Sequence, residues 1–490
     1  MTRDDDALVP DASDLAEERP LVEDDTPPAR RPMRRAWGRG AAGLAASAVA
    51  VAAVLAGAAL PWPAVGGETP AIEVTPAPSE TVLACEGPVL ALGRDATAAS
   101  AIGVAAPSAL TAATGSGAVP EPQPLAHPDV DDDDAPLRFV QPPIDRVGEP
   151  IAAAASAELD DEDLAGFAAS ACRPGSMESW IVGGDTAVGE TDLLILSNPG
   201  QVNATVQLTV YGATEPVVPP GGEALPIPAG TQRVLPLAGL AGGEATPVIR
   251  VTASGAPVRA ALQSSLVRTL DPAGIDRQSA VSAASRQVFP GVAVTSEAAS
   301  AEGAPGIVRL LARETGEATI TAVAEGETDP AVDPVTVPLE AERPLSVDLG
   351  DLPAGYYTVT VDASTPIVGA VWQTTGFGRD VDFAWQTPSP EISGPTLVAV
   401  PDGPSPALRV ANGAGSDATV TVTDASGAER QLEVPAGSSA ALALDAGESY
   451  SVDPGGAAVS AAVSYLGEVA IASIPLWPDP AAPTPVTVWP

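Results

Sequence analysis

Few side chains in this sequence could do acid–base, nucleophilic or metal chemistry. There is one histidine, His127, two cysteines, Cys85 and Cys172, and no lysine. His127 lies in GSGAVPEPQPLAHPDVDDDDAP, a proline-rich and then acidic stretch that reads as a long surface insertion. A general base needs neighbours that fix its ring, and such an insertion does not supply them, so His127 is read as non-catalytic. Without it no Ser-His-Asp or Cys-His arrangement can be drawn, and without lysine there is no Ser-Lys dyad or Schiff base. One histidine and two distant cysteines make no zinc site. Carboxylates remain. Asp129, Asp131, Asp132, Asp133 and Asp134 are oxygen ligands of the kind Ca²⁺ takes, but the run lacks the glycine turn and spacing of a preformed loop and reads first as a solvated acidic linker. Asp382, beside Phe383, and Trp385 are the candidate ligand contacts, an acid next to aromatics as at a sugar site. The competing reading makes Trp372, Phe383 and Trp385 large core residues. A carboxylate pair drawn from distant strands for glycoside hydrolysis stays open. Asn203-Ala204-Thr205 fits a glycosylation sequon and equally a turn into a strand. No catalytic residue, cofactor or metal ligand is assigned.

The two cysteines depend on where the chain resides. Residues 40–60 carry no charge, and Arg30, Arg31, Arg34, Arg35 and Arg39 precede them. As a helix this run is about 30 Å long at ~1.5 Å per residue, enough for a bilayer core. The arginines place the N-terminus in the cytoplasm and everything after Pro61 outside, with Trp37 and Trp62 at the interfaces. A cleavable signal ending at Ala56-Gly57-Ala58 is the alternative, and it too exports the rest. Outside the cytoplasm a cysteine pair reads as a disulfide, Cys85 to Cys172, with Cα atoms about 4.4–6.8 Å apart. The net charge of −40 argues against nucleic acid as a partner.

The elements that must hold these residues are strands. The segment 204–212, ATVQLTVYG, alternates apolar and polar, and turn signals such as Asn198-Pro199-Gly200 recur at strand spacing. The layout repeats. NATVQLTVYG is echoed by EATITAVAEG and DATVTVTDASG, and IPAGTQRVLPL by VPLEAERPLSVDL and VPAGSSAALAL. PVIRVTASGAPVRAAL is echoed by YYTVTVDASTPIVGAV and YSVDPGGAAVSAAV. If Ala204, Ala318 and Ala418 are equivalent, then Val206, Ile320 and Val420 are buried while Thr205, Thr319 and Thr419 face the other way, and Val258, Ile367 and Val459 are equivalent core positions. A repeat of about 100 residues with about seven strands has the size of an immunoglobulin-like sandwich. The expected fold is all-β: tandem immunoglobulin-like β-sandwich modules behind one N-terminal transmembrane helix. Its parts are a disordered cytoplasmic tail at 1–39, the helix at 40–60 and a Pro-rich spacer at 61–79. A first module at 80–285 carries an N-terminal extension and the acidic insertion, a second lies at 286–394, and a third with a tail at 395–490. ELDDEDLAGFAASAC, ahead of Cys172, reads as a short helix. The modules are expected to behave as beads with separate cores.

CEGPVL, SWIVGGDTAVGETDLLILSNPGQVNATVQLTVYG, VFPGV and VDFAWQ together resemble an actinobacterial family of N-terminally anchored secreted proteins known only as a domain of unknown function. The likeness runs from about Cys85 to the C-terminus, with Trp-x-Val-Gly-Gly its most specific motif. It implies an exported β-rich ectodomain with a part in envelope biogenesis, and it transfers no catalytic residue. The expected protein is a non-enzymatic, single-pass cell-membrane protein, anchored through residues 40–60. Its ectodomain binds or scaffolds envelope proteins or glycans. A glycan-active enzyme using a carboxylate pair and a cation-dependent adhesion module are the alternatives.

Overall fold

The structure is a computed structural model that describes residues 47–56, 72–93, 101–301, 303–482 and 486–488. The chain divides into a unit of Met1–Ile72 with Thr487–Pro490 and a unit of Glu73–Val486. In the first, residues 47–56 form an exposed helix. Among the described residues no helix is long and apolar enough to cross a membrane. The tail at 1–39, the remainder of the 40–60 segment and most of the 61–79 spacer lie outside the described residues.

The regular elements of the unit Glu73–Val486 are almost all strands, and the sequence repeats recur in it as pairing. Ala204 pairs with Ile227, Ala318 with Val337 and Ala418 with Val434, the same register three times. Val206, Ile320 and Val420 are buried, while Thr205 and Thr419 are exposed and Thr319 is half-buried, as the alternation of strand side chains requires. In the first repeat Glu178–Ile181, Val248–Ser254, Ala204–Tyr211 and Leu225–Ile227 form one sheet; Thr231–Pro236, Glu190–Asn198, Arg259–Arg268 and Asp271–Ser279 form another. Val206, Leu208, Val251 and Leu262 meet in the core between them. The third repeat has the same two-sheet plan, closed over Val420, Val422, Val459 and Val463.

The middle repeat departs from it. Gly355–Thr374 is one strand of 20 residues, so a single seven-stranded sheet forms. Its first half pairs with Gly316–Ala324 and its second with Gly306–Ala312. The cause is local. In the first repeat the corresponding strands are parted at Gly255, φ +88°, and in the third at Gly455 and Gly456, φ +64° and +88°. The middle repeat has Ser364-Thr365-Pro366 there, residues that avoid positive φ and keep the chain extended.

The residues before Cys172 are not helical. Ile151–Asp160 and Ala165–Ala171 make an antiparallel hairpin, and Gly166 has φ +137°, which no helix adopts. This hairpin decorates more than the first repeat. Ala154, Phe167 and Ala169 belong to the core of the third, with the Phe167 and Tyr465 ring centroids 5.3 Å apart. The repeats are accordingly not separate beads. Trp180, Val182 and Tyr211 of the first pack with Leu311, Phe383 and Trp385 of the second in one apolar cluster.

Candidate functional site

Asp382 precedes the strand Phe383–Gln386 and has no exposed surface. Its Oδ1 accepts the backbone N–H of Ile275 at 3.0 Å, and its Oδ2 accepts those of Phe167 and Ile471, each at 3.0 Å. Those amides lie on Asp271–Ser279, Ala165–Ala171 and Ile471–Pro475. One carboxylate of the second repeat therefore ties down the first, the third and the N-terminal hairpin. Glycines make the approach feasible: a Cβ on Gly166 would lie 2.6 Å from Oδ1, and one on Gly274 2.7 Å from it. Burial pushes the Asp382 carboxyl well above the usual carboxylate range, against the pull of its N–H donors. Trp385 is nearly covered, 9% exposed. Its backbone N–H donates to Asp276 Oδ2 at 2.7 Å, and its ring centroid lies 4.5 Å from the Arg309 guanidinium. Asp382 offers a sugar no surface and Trp385 only a sliver, which corrects the ligand-contact reading of Asp382 and Trp385. The aromatics fill a junction between repeats rather than the interior of one.

The Trp-x-Val-Gly-Gly motif belongs to the same junction. A Cβ on Gly183 would meet Gln278 at 2.8 Å and Trp385 at 3.0 Å; one on Gly184, φ +87°, would meet Asp192 Oδ2 at 2.7 Å. The acids that follow the motif were missed as a group from the sequence, although two glycines followed by three acids within eight residues were a usable signal. Asp192 accepts the Asp185 N–H at 2.7 Å, and Arg309 Nη1 donates to the Gly184 carbonyl at 2.6 Å. Burial, then the nearby Asp192 and Asp185, push Glu190 up to about 8. Asp192 is pushed up to about 6 by burial, and Asp276 to about 7 by burial.

The acidic insertion is fixed to the body. Asp129 pairs with Arg233 Nε at 2.6 Å and accepts the Val234 N–H at 3.0 Å, Leu125 is buried, and Ala126 bridges Thr231. His127 beside them is half-buried. Asp131, Asp132, Asp133 and Asp134 are exposed, and among the described residues no group of three or more acids, histidines or cysteines could hold a metal ion. Asn203 Oδ1 accepts the Ala229 N–H at 3.0 Å, which accounts for its place in a turn.

Cys85 and Cys172 are joined, with Cα atoms 4.3 Å apart, just below the expected range. Next to Cys85, Glu86 is buried and ion-paired to Arg259, with Arg277 Nε 3.8 Å away. Arg277 also donates to the Gly87 carbonyl at 2.8 Å and to Ser108 Oγ at 3.0 Å. Beyond Cys172, Arg173 lies over the Trp477 ring, 3.8 Å from its centroid. Arg173, Arg259 and Trp477 line a cavity of about 270 Å³ where the first repeat, the third and the segment 474–480 meet. Arg173, Arg259 and Trp477 are 304 positions apart end to end in the chain (477 − 173), and nothing in the sequence links them.

The pattern of the family of unknown function DUF5719 matches residues 130–445. No curated protein matches the chain. One similar solved structure is that of Thermotoga maritima 1070, 18% identical with a TM-score of 0.20, over 22% of this chain and 94% of that one. Another is a tetra-tandem repeat in the extending region of a large adhesion protein, 13% identical with a TM-score of 0.12, over 77% of this chain and 91% of that one.

Proposed function

The chain belongs to the family of unknown function DUF5719, and from that premise we propose that it is a non-enzymatic, membrane-anchored extracellular protein that binds or scaffolds envelope components. The supporting observation is the Asp382 hub. A carboxylate that joins the hairpin and three repeats through backbone amides makes a rigid frame rather than a reactive centre. In this reading the uncharged segment 40–60 anchors the chain, the arginines before it stay in the cytoplasm, and the repeats are immunoglobulin-like modules outside. The disulfide suits that compartment. Partners are envelope proteins or glycans. Nucleic acid is disfavoured by the charge of −40. The test is cross-linking and pull-down of the membrane-extracted protein, with mass spectrometry of its N-terminus. Envelope proteins or glycans should co-purify, and peptides from before Gly40 should be found. A mature N-terminus just after Ala58 removes the anchor, and recovery of only cytosolic partners removes the location.

A second reading, a glycan-active enzyme, takes support from Glu190, whose raised carboxyl beside Asp192 is of the kind that serves as a general acid. It predicts hydrolysis of envelope glycans that Glu190→Gln abolishes. Turnover unchanged in that variant, or no turnover at all, rejects it.

A further inference from the structure

The cavity bounded by Arg173, Arg259 and Trp477 holds a concentration of positive charge that is unusual for so acidic a chain. Three guanidiniums gather at and behind its wall: Arg173, which is half-buried, and Arg259 and Arg277, which are buried. The acids around them are already engaged. Glu86 faces Arg259 and Arg277 together. Asp276 gives Oδ2 to the Trp385 amide. Glu178, also on the cavity wall, is paired with Arg250. Arg173 has no carboxylate partner among the described residues, and burial together with the neighbouring Arg259 pushes it down to about 9. Arg259 reaches Glu86 and the Ala171 carbonyl through Nη2 alone. Its Nε and Nη1 are buried without a hydrogen-bond partner, and so are Ser179 Oγ and Trp477 Nε1, all on residues that line this cavity. Unpaired buried donors carry a desolvation penalty that an acceptor would relieve, and unpaired buried cations carry a larger one. Four such atoms, on three residues, thus gather along this one lining.

From this convergence we propose that the cavity is a binding site for a small carboxylate-bearing ligand with an apolar body, its carboxylate held between Arg173 and Arg259. Arginine's planar fork matches a carboxylate, and stacking on Trp477 fixes the Arg173 plane. The remaining walls decide against a bare phosphate. Leu83, Val258, Val398 and Leu476 are buried apolar residues on the same lining, which suits a ligand with one charged end. A charge of −40 repels anions at long range, so the site would select by contact rather than by steering. The inference holds whichever compartment displays the chain.

The experiment uses the full-length protein in carboxylate-free buffer, titrated with hexanoate, its neutral isostere hexanamide, and inorganic phosphate, followed by tryptophan fluorescence and calorimetry. Hexanoate should bind saturably and at least tenfold more tightly than either hexanamide or phosphate. Arg173→Met should weaken hexanoate at least tenfold and leave hexanamide unchanged, and Trp477→Phe should remove the fluorescence response. Equal binding of hexanoate and hexanamide, tighter binding of phosphate, or no saturable binding of hexanoate overturns the proposal. Should Arg173→Met fail to fold, the hexanoate-to-hexanamide ratio on the unaltered protein decides.

Discussion

Asp382 and Arg259 are both charged and both buried, yet their surroundings have opposite characters. Around Asp382 both carboxylate oxygens are used by backbone amides, and Gly166 and Gly274 close in until no further atom fits. Around Arg259 one nitrogen is used, two are not, and the residue lines a cavity of about 270 Å³. A buried charge alone therefore does not mark a functional site. What separates a structural charge from a recognition charge is whether the chain itself satisfies it. By that criterion the acid beside aromatics, the more suggestive feature in the sequence, is the framework, and the arginines that drew no notice are the site.

Substitutions should break this comparison in a fixed order. Asp382→Ala orphans three buried amides at ~1–3 kcal/mol each, so a loss of about 5 kcal/mol or more is expected in urea unfolding. The transition should also broaden or split as the repeats uncouple. Losing the disulfide in a Cys85→Ala, Cys172→Ala double variant should cost about 4 kcal/mol through the loop it closes. That loss should fall on the cavity as well, because Arg173 follows Cys172 directly.

The pH dependence comes next. Asp192, Asp276 and Glu190 hold their protons in the folded state up to about 6, 7 and 8. In the unfolded chain such groups ionise near about 4. The folded state thus binds more protons between those limits, so the stability is fully present below about pH 4 and is lost as pH rises through 6 to 8. The Tm should fall from pH 5 to pH 8 even in high salt, which screens the general repulsion of the chain. Glu190→Gln should flatten the upper part of that fall, and an unchanged slope would contradict the assignment. The smallest effect belongs to Arg173→Met. It removes a cation with no ion-pair partner among the described residues, and stability should change by less than about 1 kcal/mol in urea unfolding.

The repeat architecture was legible because hydrophobic alternation and turn residues are local signals. They aligned Ala204, Ala318 and Ala418 correctly, down to the strand partner of each. Even so, the device that turns the chain after the preceding strand was overlooked. Asn198 donates to the Val202 and Ile227 carbonyls, and Asn412 likewise to those of Ser416 and Val434, whereas the middle repeat has Ala312 in that register. The hairpin before Cys172 was misread as a helix because its alanines and acids suit a helix locally, and packing against Tyr465 overrides that preference. The hub was not legible. Its partners are backbone amides, which have no residue signature, and Gly166 and Gly274 were its only trace. Nor was the cavity, because Arg173, Arg259 and Trp477 come together only through the packing of separate repeats.

The central claim is that one carboxylate holds the hairpin and the repeats as a single frame. Amide hydrogen exchange of the full-length protein tests it most directly, read at peptides containing Phe167, Ile275 and Ile471. The account predicts that these three amides exchange together, at the slow rate of global unfolding, and that Asp382→Ala speeds all three. Exchange at three unrelated rates in the unaltered protein, or rates that Asp382→Ala leaves in place, would contradict it.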